Sequence, residues 1–268
     1  MSKTKYTYAV ARIRALEVSL LTNAVIEQLL ACKSAEQALQ LLVEKGWGDL
    51  TAGTLDADEV LNKEEEKVWQ TIREVAPDMH VFDVLSLPKL YHNLKAAIKE
   101  VCTEVENKNI FYDDCEISGE EMYAIVQNKE FDKLPGNMPA TAREAFDTLL
   151  HTRDGQLCDL IIDRATLEAM LEAGKKSGEK IIEEYAQTAV AIADIKIAVR
   201  SQKTGKNADF MKKAMVNCSE INVDQLTQAA LAGAEEIAQY LEGTSYREGA
   251  DALRISPSAF ERWCDNKM

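Results

Sequence analysis

From Tyr8 onward the chain reads "YAVARIRALEVSLLTNAVIEQLL", with Val10, Ile13, Leu16, Leu20 and Leu21 recurring at helical spacing and Arg12, Arg14 and Glu17 elsewhere around the turn. This spacing predicts one long amphipathic helix. Ser34 and Gln37 have capping-box spacing and open a second helix through "ALQLLVEKGWG", which the Gly46/Gly48 pair ends. The same start signal recurs at Ser118 with Glu121 and at Thr141 with Glu144. "NKEEEKVWQTIREVAP" predicts a charged helix stopped by Pro77. Longer helical patterns run from Pro88 to about Glu106 and from Asp163 to about Ser201, with Gly174 and Gly178 dividing the second in two. The β-like text "NIFYDDCEIS" is too short and isolated to found a sheet and predicts a loop. With only 5 prolines and an aromatic share of 6%, the composition adds to the same expectation, an all-α protein.

The helical text repeats itself. "YHNLKAAIKE", Tyr91 to Glu100, returns about a hundred residues later as "IADIKIAVRS": Asp194, Ile195, Lys196, Val199 and Arg200 fall on Asn93, Leu94, Lys95, Ile98 and Lys99. "SAEQALQLLVEKGWG" from Ser34 similarly matches "GAEEIAQYLEGTSYR" from Gly233, about twice that distance away. Two agreeing offsets imply one unit of about a hundred residues. The predicted segments are 1–117, which includes the N-terminal helix, 118–218, and 219–268. A third counterpart of Lys95 and Lys196 would lie beyond Met268, so the third repeat is expected to be short or truncated. Asn93 and Asp194 are expected to hydrogen-bond a neighbouring helix or turn of their own repeat, and Lys95 and Lys196 to bridge to carboxylates.

Charge narrows the partners. A net charge of −14 argues against a nucleic-acid binder, which needs cations to replace the phosphate counterions, and leaves basic proteins possible. No run of eighteen apolar residues spans a bilayer, and "MSKTKYTY" lacks the apolar core of a secretory signal, so the chain reads as soluble and cytosolic. Cys32, Cys102, Cys115, Cys158, Cys218 and Cys264 are scattered without a C-x-x-C pair and far in sequence from His80, His92 and His151; the expectation is no metal and no cofactor. Arg12 and Arg14 read as a solvated or salt-bridged face, and "EEEK" at Glu64 to Lys67 as a solvated one. His92 and Asn93 could suggest catalysis, but the pattern recurs without the histidine and no nucleophile stands at a related spacing. "YREGADALRISPSAFERWC" has helix-turn-helix character, with Arg262 and Trp263 where a recognition helix would face DNA; its acidic flanks weigh against that use. A free-standing helical-repeat scaffold that binds peptides or proteins is the main alternative reading.

The segments "YTYAVARIRALEVSLL", "LPKLYHNLKAAIK", "AIADIKIAVRS" and "SAFERWCDN" together resemble the C subunit of the archaeal and bacterial V-type (A-type) ATPases, the counterpart of the eukaryotic V-ATPase d subunit. That family carries a recurring D-x-x-N-(L/I)-K pattern. Here Leu90 and Ala191 stand in place of the Asp, and Asp194 in place of the second Asn. The resemblance implies three pseudo-repeated helical lobes forming a funnel, on the cytoplasmic face of the membrane proteolipid ring. The funnel would receive the central stalk subunits D and F. It implies a rotor adaptor that transmits torque for ion transport and has no active site of its own.

Overall fold

The computed structural model describes residues 6–48, 56–105, 110–112 and 114–268. These contain helices and no strand, and the chain divides into two compact units, residues 1–79 and 80–268.

The first unit contains α1 (Thr7–Leu16), α2 (Asn23–Leu30), α3 (Ala35–Glu44) and α4 (Ala57–Val75). The single long helix expected from Tyr8 is therefore two helices. Ser19 Oγ donates to the Leu16 carbonyl at 2.7 Å, Leu20 turns extended, and Thr22 caps a new helix by accepting from the Val25 amide. Short hydroxyl side chains compete with the helical ladder and restart it. The expected apolar face also stays open, with Val10 57% and Leu20 69% exposed. Ser34 caps α3 as expected, although the Gln37 side chain accepts from the Lys33 amide at 3.0 Å, one residue before the cap. Gly46, at φ +89°, ends that helix, a left-handed conformation that glycine adopts without strain. Arg12 pairs with Glu74 at 3.6 Å and Arg14 with Glu17 at 2.7 Å. Glu64 and Lys67 are more than a solvated face: Glu64 accepts from the Gly48 amide at 2.8 Å, and Lys67 donates to the Gly46 and Gly48 carbonyls. Val60 is the one buried residue among those described in this unit.

The second unit runs through α5 (Asp83–Thr103), α6 (Gly119–Gln127), α7 (Met138–Thr152), α8 (Gly155–Lys176) and α9 (Lys180–Thr204). It continues through α10 (Ala208–Ala214), α11 (Val223–Ala232), α12 (Ala234–Glu242), α13 (Arg247–Ile255) and α14 (Pro257–Lys267). Several boundaries differ from expectation. Helix α5 starts at Asp83 with Pro88 inside it. Helix α8 starts eight residues before Asp163, because the Asp154 side chain accepts from the Leu157 amide. Thr141 lies within α7, which opens at Met138 with Pro139 in its first turn, and its hydroxyl bonds back to the Asn137 carbonyl. Gly178, at φ +67°, does break the long pattern between α8 and α9. Gly174 does not: it is helical, and a Cβ there would come within 2.6 Å of Ala186 Cβ. Its role is to let the two helices approach closely. The described part of "NIFYDDCEIS" is loop; Asn109 and Asp113 lie outside the described residues.

Two large apolar cores organise the unit, beside a smaller cluster of Val84 of α5, Met170 of α8 and Ala186 of α9. The first gathers Leu94 and Ile98 of α5, Met122 and Val126 of α6, Phe146 of α7, and Cys158 and Ile162 of α8. The second gathers Ile195 and Val199 of α9, Leu226 of α11, Ile237 and Leu241 of α12, Ala250 of α13, and Phe260 and Cys264 of α14. Each core therefore closes in a frame that begins at a long Lys-bearing helix. Among the described residues no helix is long and apolar enough to cross a membrane.

Candidate functional site

The repeated stretches Asn93-Leu94-Lys95 and Asp194-Ile195-Lys196, each with the residue before it, lie midway along α5 and α9. Helical geometry sends successive side chains in different directions, so one short stretch reaches three different neighbours. Leu94 and Ile195 are fully buried and point into the two cores. Asn93, also fully buried, grips the loop after α5: its Nδ2 donates to the Tyr112 carbonyl and its Oδ1 accepts from the Tyr112 amide, both at 2.8 Å. One side-chain amide thus satisfies both backbone groups of one loop residue. His92 Nε2 donates to the Ile110 carbonyl at 2.9 Å, and its ring meets Tyr112 edge-on at 5.0 Å. Tyr91 is buried in the core, with its phenol pushed up to about 12 by burial.

Asp194 holds the matching loop after α10 more thinly. Its Oδ1 accepts from the Val216 amide at 3.1 Å, while Oδ2 is buried without a hydrogen-bond partner. Burial pushes this carboxyl up to about 7, against the opposing effects of the Val216 N–H and the Arg164 charge. Ala193 replaces His92, so the second loop has no histidine contact.

The cations point to the closing helix of each core. Lys95 pairs with Asp163, and Lys99 with Asp159 at 2.6 Å, both carboxylates on α8. Lys196 pairs with Glu261 at 3.0 Å and Asp265 at 3.6 Å, and Arg200 with Glu261 at 3.3 Å, both carboxylates on α14. Two cations four residues apart face two acids four residues apart, in both cores. The acids were not singled out by sequence reasoning, yet a signal is present: "CDLIID" from Cys158 and "FERWCD" from Phe260 share an apolar-acid-x-x-apolar-acid pattern, each just after a capped start at Asp154 or Ser256. The apolar members enter the cores, and the acids beside them take the cations.

The helix-turn-helix pattern exists as α13 and α14, with Ser256 accepting from the Ala259 amide at 3.0 Å. Its aromatic is already occupied: Trp263 stacks on Phe260, and its ring lies so close to Gly249 that a Cβ there would sit 2.6 Å from it. Burial pushes the Cys158 and Cys264 thiols each up to about 11. Among the described residues no group of three or more His, Cys, Asp or Glu is placed to hold a metal ion.

These features define an all-helical protein in which one scheme of loop grip and ion pairing is written twice. The chain belongs to the ATP synthase (C/AC39) subunit family, which it matches over residues 9–268. It is also similar to the C subunit of the V-type sodium ATPase of Enterococcus hirae, 22% identical over 238 residues that cover 88% of this chain and 73% of that one.

Proposed function

We propose that this protein is a non-catalytic rotor adaptor of a V-type ATPase, linking the central stalk subunits D and F to the membrane proteolipid ring at the cytoplasmic face and passing torque between them. Family membership over nearly the whole chain is the observation that carries this reading. The doubled wiring supports it: a torque coupler must resist bending, and densely packed helices tied by buried polar grips and ion pairs are stiff. In this reading Asn93, Lys95, Asp194 and Lys196 are equivalent positions of a repeated lobe, and the sequence frame 1–117, 118–218 and 219–268 describes three lobes arranged as a funnel.

Docking is shape plus charge. A chain with net charge −14 meets basic stalk or ring loops, and such contacts weaken as salt shortens the screening length. The test is co-purification with the stalk pair D and F from the same cell, read by mass spectrometry and size exclusion at low and high salt. A stoichiometric complex that loosens at high salt is expected. A chain that elutes alone at every salt concentration refutes the adaptor reading, and a complex indifferent to salt refutes its electrostatic part.

A further inference from the structure

The second core contains a group that the repeated scheme does not need. An amide at position 194 could grip the loop as Asn93 does; an acid there is harder to accommodate. Asp194 is fully buried, its Oδ2 has no hydrogen-bond partner, and its one bond is the Val216 amide. An ionised carboxylate in that setting is costly, whereas a protonated one leaves only a neutral hydroxyl unsatisfied.

The neighbours do not rescue the charge. Arg164 of α8 attracts Asp194 but spends its own hydrogen bonds on Glu168 and the Lys212 and Lys213 carbonyls. On α10 and α11, Lys212 pairs with Asp224. On α9 itself, Lys196 is engaged by Glu261 and Asp265 of α14. Two further groups feel the Asp194 charge, Cys218 on the loop and Tyr240 of α12, both raised first by burial, and the loop's own Glu220 adds another acid beside Cys218. None supplies a positive charge.

The loop that Asp194 holds is also beside water. Residues 217–222 border an open cavity of about 590 Å³ together with Tyr240, whose hydroxyl accepts from the Asn222 amide at 2.9 Å. Neither Asp194 nor Val216 lines that cavity, so solvent reaches the carboxyl only when the loop opens.

We propose that Asp194 and Val216 form a pH-sensitive latch: the loop at residues 215–222 is held most firmly while Asp194 is protonated, and it loosens as the pH rises toward neutrality. The sign follows from linkage. With the loop closed, Asp194 holds its proton up to about pH 7; hydrated, it releases it in the ordinary carboxylate range near 3.8. Between those limits the closed state keeps a proton that the open state gives up, so each pH unit shifts the balance about tenfold toward opening. Above about 7 both states are ionised and the shift ends.

Amide hydrogen exchange on the intact chain, followed by NMR from pH 5 to 8.5 and corrected for intrinsic exchange, tests this. The opening constant at Val216 should climb about tenfold per pH unit and level off near neutrality. Tyr112, held by the neutral Asn93, should show no such climb, and in Asp194→Asn the Val216 dependence should flatten. A Val216 response as flat as that of Tyr112 overturns the latch, as does an unchanged climb in Asp194→Asn. If that variant does not fold, the comparison of Val216 with Tyr112 in the native chain decides alone.

Discussion

The two cores of the second unit use one plan and finish it differently. In the first, Asn93 donates to and accepts from Tyr112, and His92 adds a second grip on the same loop. In the second, Asp194 offers a single bond to Val216, and Ala193 offers nothing. The ion pairs differ in the opposite sense. The first core runs two separate pairs, Lys95 with Asp163 and Lys99 with Asp159, whereas in the second Glu261 is shared by Lys196 and Arg200. The loop grip is thus stronger in the first core and the charge network more interlocked in the second. The two cores share a geometry of attachment and differ in the chemistry of each attachment.

The largest test of the comparison removes the anchors themselves. Leu94→Ala and Ile195→Ala each delete a fully buried aliphatic side chain, and each should cost roughly 2–5 kcal/mol in urea unfolding. Hydrogen exchange should show the lost protection concentrated in α5–α8 for the first and in α9–α14 for the second. Equal loss across both sets from either variant would show one cooperative block, and the two cores would then be a single structure.

A smaller effect comes from exchanging the chemistry of the loop grips. Asn93→Asp places an acid where the first core has an amide. When protonated, it can still donate to the Tyr112 carbonyl and accept from the Tyr112 amide. When ionised, it loses the donor and buries a charge, at a cost of roughly 3 kcal/mol. Its buried site should raise the carboxyl as burial raises Asp194, so the variant should lose stability progressively as the pH rises above the ordinary carboxylate range, less at pH 5 than at pH 8 in urea midpoints. A loss of equal size at both pH values would mean that the amide serves through its shape alone.

The all-helical class was legible in the sequence because helical period is a property of text. Boundaries were less so. Ser19 and Thr22 look unremarkable inside an apolar helical pattern, and only their local hydrogen bonds to Leu16 and Val25 break it. Gly174 and Gly178 look alike in the chain, yet one is spent on a close approach to Ala186, which depends on a partner helix, and the other on a backbone turn. The acids of α8 and α14 escaped notice because each is ordinary on its own helix. They acquire meaning only opposite a cation some sixty residues earlier. The unsatisfied oxygen of Asp194 was equally invisible, since burial of a given atom is a property of packing.

The smallest test concerns those acids. Glu261 is about half exposed, and its carboxyl is held below the usual range by its hydrogen bond to Lys196 and, to a lesser degree, by that to Arg200. Exposed pairs contribute little, so Glu261→Gln should cost about 1 kcal/mol at most. Asp163→Asn should cost less, because Asp163 pairs with one cation whereas Glu261 pairs with two, although Lys196 keeps Asp265. The gap should close in 1 M salt, where screening reduces both contributions, and thermal or urea unfolding at low and high salt would measure it. The sign with pH is also fixed: a carboxyl lowered in the folded state stabilises above its ordinary range and loses that contribution as the pH falls through its folded value. Equal costs for the two variants at low salt would mean that the shared carboxylate confers no advantage, and the second core's interlocking would be geometry without energetic consequence.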